Sequence, residues 1–353
     1  MQYKFFTNSE DAWVAMQQVI SNAQKFIYWE VYIFNNDLPT HRFANILKEK
    51  ARVGVSVKII IDSIGSLDFS NTLAQELRAS GVELIYFNEL PSFWNPRRLW
   101  RWIFLRTHRK LLIVDGEVGF IGSVNVGRKY QQWQELHIQV KGLILRHFIK
   151  SFAKMYRYCG GKDTIIIPPK NQRRVHSWLL EHAPWRKNRI IKNYYIEKCS
   201  NAKNNITIVT PYFVPHHWLL KILREAVVRG VGVDVIIPKT TDIWFSDIGN
   251  RVFAMIAMQS KINFLLFPKM IHAKVLLVDN AYALVGSQNI NPRSFDHDIE
   301  SSLAFKDSEM IKDLGTIIND WKLVCAPLNY PKNKRRWYHP LLEKFFEFIR
   351  PIL

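Results

Sequence analysis

One six-residue pattern occurs twice in this chain with identical spacing. The first copy is His108, Lys110, Asp115, Gly122, Ser123 and Asn125; the second is His272, Lys274, Asp279, Gly286, Ser287 and Asn289. Both read H-x-K-x4-D-x6-G-S-x-N. At roughly 5% occurrence per residue type, six fixed positions match by chance about 10^-8 of the time per register. Two copies therefore mean a duplicated unit. They also constrain what is built: one site assembled from two halves, each supplying a histidine, a lysine, a serine and an asparagine.

The duplication extends well beyond the motif. Ser21-Asn22-Ala23 precedes the apolar run Phe26 to Phe34, and Ser200-Asn201-Ala202 precedes Ile206 to Phe213. A helical pattern follows in each half, Phe43 to Arg52 and Trp218 to Arg229. Each ends at a glycine and enters an apolar run, Gly54 to Asp62 and Gly230 to Pro238. A further helix and strand end near Phe87 and Phe267. Strands alternating with helices predict a largely parallel sheet covered by helices. Each motif then opens a strand pair. The first, His108 to Val114 with Val118 to Ile121, turns at Asp115-Gly116. The second, His272 to Val278 with Ala283 to Val285, turns at Asp279-Asn280, and both dipeptides favour turns.

The expected architecture is α/β: two α/β/α halves with mixed, largely parallel sheets, related by a pseudo-twofold axis and sharing one active site. Residues 1–165 form the first half and 191–328 the second. Residues 166–190 are a basic connector, broken by prolines and suited to a short helix. Residues 329–353 are a basic tail whose Leu341, Leu342, Phe345, Phe346, Phe348 and Ile349 recur at near-helical spacing. Such a helix suits either a lipid interface or a docking place on the core.

The halves differ where the first carries an insertion, roughly Asn88 to Thr107, running directly into His108. It interleaves Trp94, Trp100 and Trp102 with Arg97, Arg98 and Arg101, a composition suited to a membrane- or substrate-facing lip. Charge adds to this. Lys plus Arg number 49 against 30 acidic residues, a formal charge of +19. That excess implies an anionic partner, either a phospholipid surface or nucleic acid. The three cysteines are far apart, which excludes a disulfide framework and a cysteine metal cluster. No uninterrupted apolar run approaches the roughly 20 residues of a membrane span.

Two histidines converging on one phosphorus make a double-displacement site: one attacks as the neutral imidazole, the other protonates the leaving alkoxide. Lys110 and Lys274 would neutralise the non-bridging oxygens. Ser123, Asn125, Ser287 and Asn289 are the candidate phosphate-binding groups. Such a site needs no metal and no cofactor. A catalytic histidine also needs an acceptor on its other ring nitrogen. Glu135, 27 residues after His108, and Glu300, 28 after His272, are the candidate orienting carboxylates. Asp115 and Asp279, although part of the motif, are expected to bond turn amides.

These motifs resemble those of the phospholipase D superfamily over about residues 5 to 325. The resemblance implies the catalytic set His108, Lys110, Asp115, His272, Lys274 and Asp279, with a phosphohistidine intermediate on His108. Trp133-Gln134-Glu135 and Asn289 to Glu300 are most similar to segments of bacterial cardiolipin synthases, of the short type lacking transmembrane spans. Asn291 stands where those enzymes usually have Asp, and Asp298 where they usually have Asn. The implied activity is phosphatidyl transfer giving cardiolipin from phosphatidylglycerol, by a peripheral protein at the cytoplasmic face of the membrane. Plain phospholipase D hydrolysis and a nuclease of the same fold are the alternatives. A non-catalytic scaffold is disfavoured by two complete motifs.

Overall fold

A computed structural model describes residues 1–89, 104–162, 165–168, 176–186, 189–328 and 344. The first half contains β1 (Gln2–Asn8), α1 (Ser9–Ser21), β2 (Phe26–Val31), α2 (Leu38–Arg52), β3 (Ser56–Asp62), α3 (Asn71–Ala79) and β4 (Glu83–Phe87). It continues with β5 (Leu111–Val114), β6 (Val118–Gly122), β7 (Gln134–Lys141) and α4 (Leu145–Tyr158). The second half repeats this order: β8 (Ser177–His182), α5 (Ile190–Ser200), β9 (Asn205–Val209), α6 (His217–Val228), β10 (Gly232–Pro238), α7 (Trp244–Met258) and β11 (Asn263–Phe267). Then come β12 (Val275–Val278), β13 (Tyr282–Gly286), the short α8 (Pro292–Asp296), β14 (Glu300–Phe305), α9 (Ser308–Val324) and β15 (Ala326–Pro327).

The two sheets share one topology. In the first the strand order is β1-β7-β6-β5-β2-β3-β4; in the second it is β8-β14-β13-β12-β9-β10-β11, with β15 added at the edge. β2, β3 and β4 are mutually parallel, as are β9, β10 and β11, and the remaining pairings are antiparallel. The expected mixed α/β sheets are therefore present in both halves. Three strands were not anticipated, one of them the two-residue β15 beside β11. β1 adds an edge to the first sheet through its pairing with β7. β8 lies inside the span read as a connector with a short helix, and is instead the second sheet's counterpart of β1. Its six residues bond to β14 from Ser177↔Phe305 to His182↔Glu300, and six residues are too few to hold a helix on local propensity alone.

Local chemistry explains the element boundaries. Asn8, Asp37, Ser70 and Asp307 cap α1, α2, α3 and α9 by accepting amide hydrogens of the first turn. Both motif hairpins turn through two successive left-handed residues, Asp115 (φ 55°) with Gly116 (φ 70°) and Asp279 (φ 53°) with Asn280 (φ 47°), the type I′ pattern. The motif glycines answer a different need. A Cβ on Gly122 would lie 2.4 Å from the Leu136 carbonyl oxygen, and one on Gly286 2.5 Å from that of Ser301. Only glycine lets the hairpin approach the next strand so closely.

Asp115 accepts hydrogen bonds from the amides of Gln24, Lys25 and Phe26 at 2.8 Å each. Asp279 does the same for Lys203, Asn204 and Asn205 at 2.9, 2.7 and 3.0 Å. Each clamps the hairpin to the start of the neighbouring parallel strand. Seven residue steps of extended chain carry Asp115 about 20 Å from His108. The implied catalytic membership of the two aspartates thus gives way to the turn-bonding role expected from their position. Asp115→Ala or Asp279→Ala should each lower unfolding stability by about 1–3 kcal/mol, from three orphaned amides. A urea midpoint unchanged from the parent would contradict this.

One core lies between each sheet and its outer helices. A third is shared, where Ile113, Ile138 and Phe148 of the first half join Val275, Leu303 and Leu314 of the second. The motif hairpins lie at this junction.

Candidate active site between the halves

The halves interlock by strand-like bonds immediately before each histidine. The His108 amide donates to the Ile299 carbonyl at 2.9 Å, and the Ile299 amide to the Arg106 carbonyl at 2.8 Å. Across the pseudo-twofold, the His272 amide donates to the Gln134 carbonyl at 2.6 Å, and the Gln134 amide to the Met270 carbonyl at 3.0 Å. Each histidine is therefore set beside the glutamate of the opposite half. His108 Nδ1–H donates to Glu300 at 3.1 Å, and His272 Nδ1–H to Glu135 at 2.9 Å. The pairing suggested by spacing, glutamate with the histidine of its own half, is corrected to a crossed one.

Both histidines line a pocket of about 470 Å³ together with Tyr32, Asn125, Tyr130, Trp133, Tyr212, Asp242, Asn289, Arg293 and Asp298. With Nδ1 engaged, each Nε2 is the ring nitrogen left for chemistry. Among the described residues, the Oδ1 atoms of Asn125 and Asn289 are buried without a partner. Buried amide oxygens of this kind mark a place for a ligand. The lysines run behind the histidines: Lys110 Nζ donates to the His108 carbonyl at 2.8 Å and Lys274 Nζ to the His272 carbonyl at 2.6 Å.

The serines do not face the pocket. Ser123 Oγ accepts from the Leu136 amide at 2.9 Å and donates to the Leu136 carbonyl at 3.1 Å. Ser287 Oγ donates to Glu300 and accepts from the Ser301 amide. Their expected phosphate-binding role is corrected to one of holding the glutamate-bearing strands, because the glycine before each lets the hydroxyl reach the next strand rather than the pocket.

Burial sets the protonation states. Burial, reinforced by the Lys110 charge, pushes His108 down to about 3, so its imidazole is neutral near pH 7. Burial also lowers His272 and holds Lys274 well below the ordinary lysine range. Lys110 is lowered by burial to about 7. Burial alone would raise Glu300, but the His108, Lys110 and Ser287 contacts outweigh it and hold that carboxyl at about 2. The resulting pair is a carboxylate accepting from a neutral imidazole, the state that leaves Nε2 nucleophilic.

A stability prediction follows. The unfolded chain protonates His108 near pH 6.5, whereas the folded chain does so only near 3. Between those values the unfolded state binds the extra proton, so stability must fall as pH falls. Chemical unfolding from pH 7 to 4 should show that decline, and His108→Gln should flatten it. An equal slope in both proteins would contradict the assignment.

Asp62, Tyr212 and Asp242 carried no sequence signal of their own. Asp62, fully buried at the end of β3, bonds Arg106 at 3.0 Å and the Thr107 amide at 2.9 Å, fixing the approach to His108. The second half has Pro238 and Met270 in the corresponding places. Tyr212, in the β9–α6 connection, and Asp242, in the β10–α7 connection, reach the pocket only through folding. Asn291 caps α8 by accepting from the Ser294 amide at 3.0 Å. Asp298 is a buried pocket carboxyl whose pKa is raised well above normal by desolvation, with Glu300 and Asp62 adding to the rise. The lip residues Trp94, Arg97, Arg98, Trp100, Arg101 and Trp102, and the tail from 329 apart from Lys344, lie outside the described residues.

Residues 16–156 and 195–321 match the family model described as "Cardiolipin synthase, PLD-like domain". The chain belongs to this family. It is 31% identical over 355 residues to a cardiolipin synthase of Clostridium perfringens, covering 95% of this chain and 73% of that one. It is 29% identical over 373 residues to a cardiolipin synthase of Geobacillus thermodenitrificans, covering 100% and 72%. Among solved structures, the phosphatidylserine synthase of Haemophilus influenzae superposes with a TM-score of 0.73 at 14% identity, covering 100% of this chain and 95% of that one. Polyphosphate kinase from Porphyromonas gingivalis gives 0.62 at 12% identity, covering 100% and 54%. These structural likenesses show that this cardiolipin synthase family member has the two-half phospholipase D fold. No helix among the described residues is long and apolar enough to cross a membrane.

Proposed function

We propose that this chain is a phosphatidyltransferase that makes cardiolipin from phosphatidylglycerol through a phosphohistidine. The observation carrying this reading is the pair of histidines that face one pocket from opposite halves, each with Nδ1 bonded to the other half's carboxylate. His108 Nε2 attacks phosphorus, forming a P–N bond as the P–O bond to the headgroup breaks. The leaving alkoxide takes a proton from His272, whose protonated form is favoured by the anionic phosphodiester beside it. The second lipid alcohol then gives its proton to His272 and attacks phosphorus, and the P–N bond breaks. The same anion favours the protonated forms of Lys110 and Lys274, which then supply charge to the non-bridging oxygens, and the Asn125 and Asn289 side-chain amides can donate to them.

The chain would work peripherally, on the cytoplasmic face of an anionic membrane. Its +19 charge attracts such a surface. Large apolar side chains flank the pocket: Leu67, three residues beyond pocket-lining Ile64, is 68% exposed, and Trp244, between pocket-lining Ile243 and Phe245, is 74% exposed.

The test is lipid mass spectrometry after incubation with phosphatidylglycerol vesicles, with and without exhaustive chelation. Cardiolipin plus free glycerol in both arms is expected. Phosphatidic acid as the sole product would replace transfer by hydrolysis, and activity strictly dependent on a divalent ion would overturn the metal-free site. Cleavage of a labelled oligonucleotide with no lipid turnover would favour the nuclease.

A further inference from the structure

The pocket wall beside His272 has a composition that the reaction above does not use. The Trp133 and His272 rings lie 5.1 Å apart, and Tyr130 meets Trp133 edge-on at 4.7 Å. From the other half, Tyr212 donates its hydroxyl to Asp242 at 2.6 Å. Three aromatic rings around one carboxylate is the chemistry that binds an ammonium ion. An ammonium from the chain itself is already there. Lys129 Nζ lies 5.9 Å from the Tyr130 ring centre and 5.8 Å from that of Trp133, and bonds Asp242 at 3.0 Å. Lys129 comes from the first half and Asp242 from the second, so this pair bridges the halves at the pocket wall.

We infer that these residues form the headgroup subsite, and that Lys129 makes it selective for uncharged polyol headgroups by occupying the place a cationic headgroup would take. The inference rests on the reading that the leaving alcohol departs towards His272, since only then does the headgroup lie against this wall. An ethanolamine or choline group would have to displace Lys129 from both the rings and the carboxylate, or sit beside a like charge. A glycerol headgroup brings no charge. Its hydroxyls can share the Tyr212 and Asp242 oxygens while Lys129 stays in place.

The experiment uses the full chain and the variants Lys129→Met, Lys129→Gln and Lys129→Arg. Calorimetric titration with choline needs no turnover and tests the subsite directly. Choline should bind the Met or Gln variant and not the parent or the Arg variant. Adding Asp242→Asn to the Met variant should abolish the gain. In parallel, phosphatidylglycerol is offered equal concentrations of ethanolamine and labelled glycerol as acceptors. The ratio of aminolipid to labelled product should rise about three- to tenfold in the Met or Gln variant, the effect of one half-exposed like charge. Thermal unfolding identifies which variants are folded, and either neutral one suffices. Choline binding absent from a folded neutral variant, or equal in the parent, overturns the subsite. If choline binds as expected but no protein turns over lipid, the reading of the reaction and with it the headgroup role fail, and only a cation site filled by Lys129 stands.

Discussion

His108→Ala and His272→Ala should each lower phosphatidyl transfer by at least about 10^4-fold without changing the far-ultraviolet spectrum or the unfolding midpoint by more than a small amount. The magnitude is that of removing one member of a nucleophile–acid pair acting as a unit. The two variants should differ in what they accumulate. With His108 as nucleophile, a substrate whose leaving group needs no protonation should still label residue 108 in His272→Ala, and label should then persist because no base activates the acceptor. Phosphate found on residue 272 of the His108→Ala protein would exchange the two roles. Substantial activity in either variant would remove the double displacement altogether.

The second large effect is expected at the glutamates. Glu300→Gln retains the shape of the side chain but removes the charge that holds the Nδ1–H tautomer of His108. The amide can also present an N–H to that nitrogen, shifting the ring proton to Nε2 and taking away its lone pair. A fall in kcat of about 10^2–10^4-fold should result, with a smaller change in KM. Glu135→Gln should act on His272 in the same way. Crossing makes the pairing testable. Glu300→Gln should impair formation of the phosphohistidine, the step that needs the lone pair on His108, whereas Glu135→Gln should impair protonation of the leaving group. Substrates with activated leaving groups should therefore rescue Glu135→Gln and not Glu300→Gln. The opposite pattern would show that the crossed hydrogen bonds do not govern the reacting nitrogens.

Much of this was legible in the sequence because the duplication transmits local information twice. The hairpin turns, the apolar runs of the parallel strands and the helices that follow glycine-terminated patterns are all set by neighbours within a few residues. The His and Lys positions were legible for the same reason, since alternate residues of one extended segment must lie on one side of it. The crossed glutamates were not. Glu135 and Glu300 sit at matching places in each copy, but which histidine each meets depends on how the copies dock. That is decided by the bonds of Arg106 and His108 to Ile299, and of Met270 and His272 to Gln134. The serines were misassigned because their direction depends on a backbone approach that only the motif glycines permit. β1 and β8 escaped notice because an edge strand is defined by its partner more than by its own residues. Lys129 and Asp242 are separated by 113 residues and meet only across the pocket.

The crossed pairs also bear on timing. His108 lies 192 residues ahead of its carboxylate Glu300. During synthesis at about 5–20 residues per second, roughly 10–40 seconds pass after the first histidine is made before its partner exists. Throughout that interval the nascent chain carries a first half whose His108 lacks the carboxylate that fixes its tautomer. His272 has its glutamate waiting, but His108 meets its own only once β14 has been made and the halves have closed. On the proposed reading, a chain that stops before β14 lacks the His108–Glu300 pair, so the onset of activity reports that both halves have been made and joined.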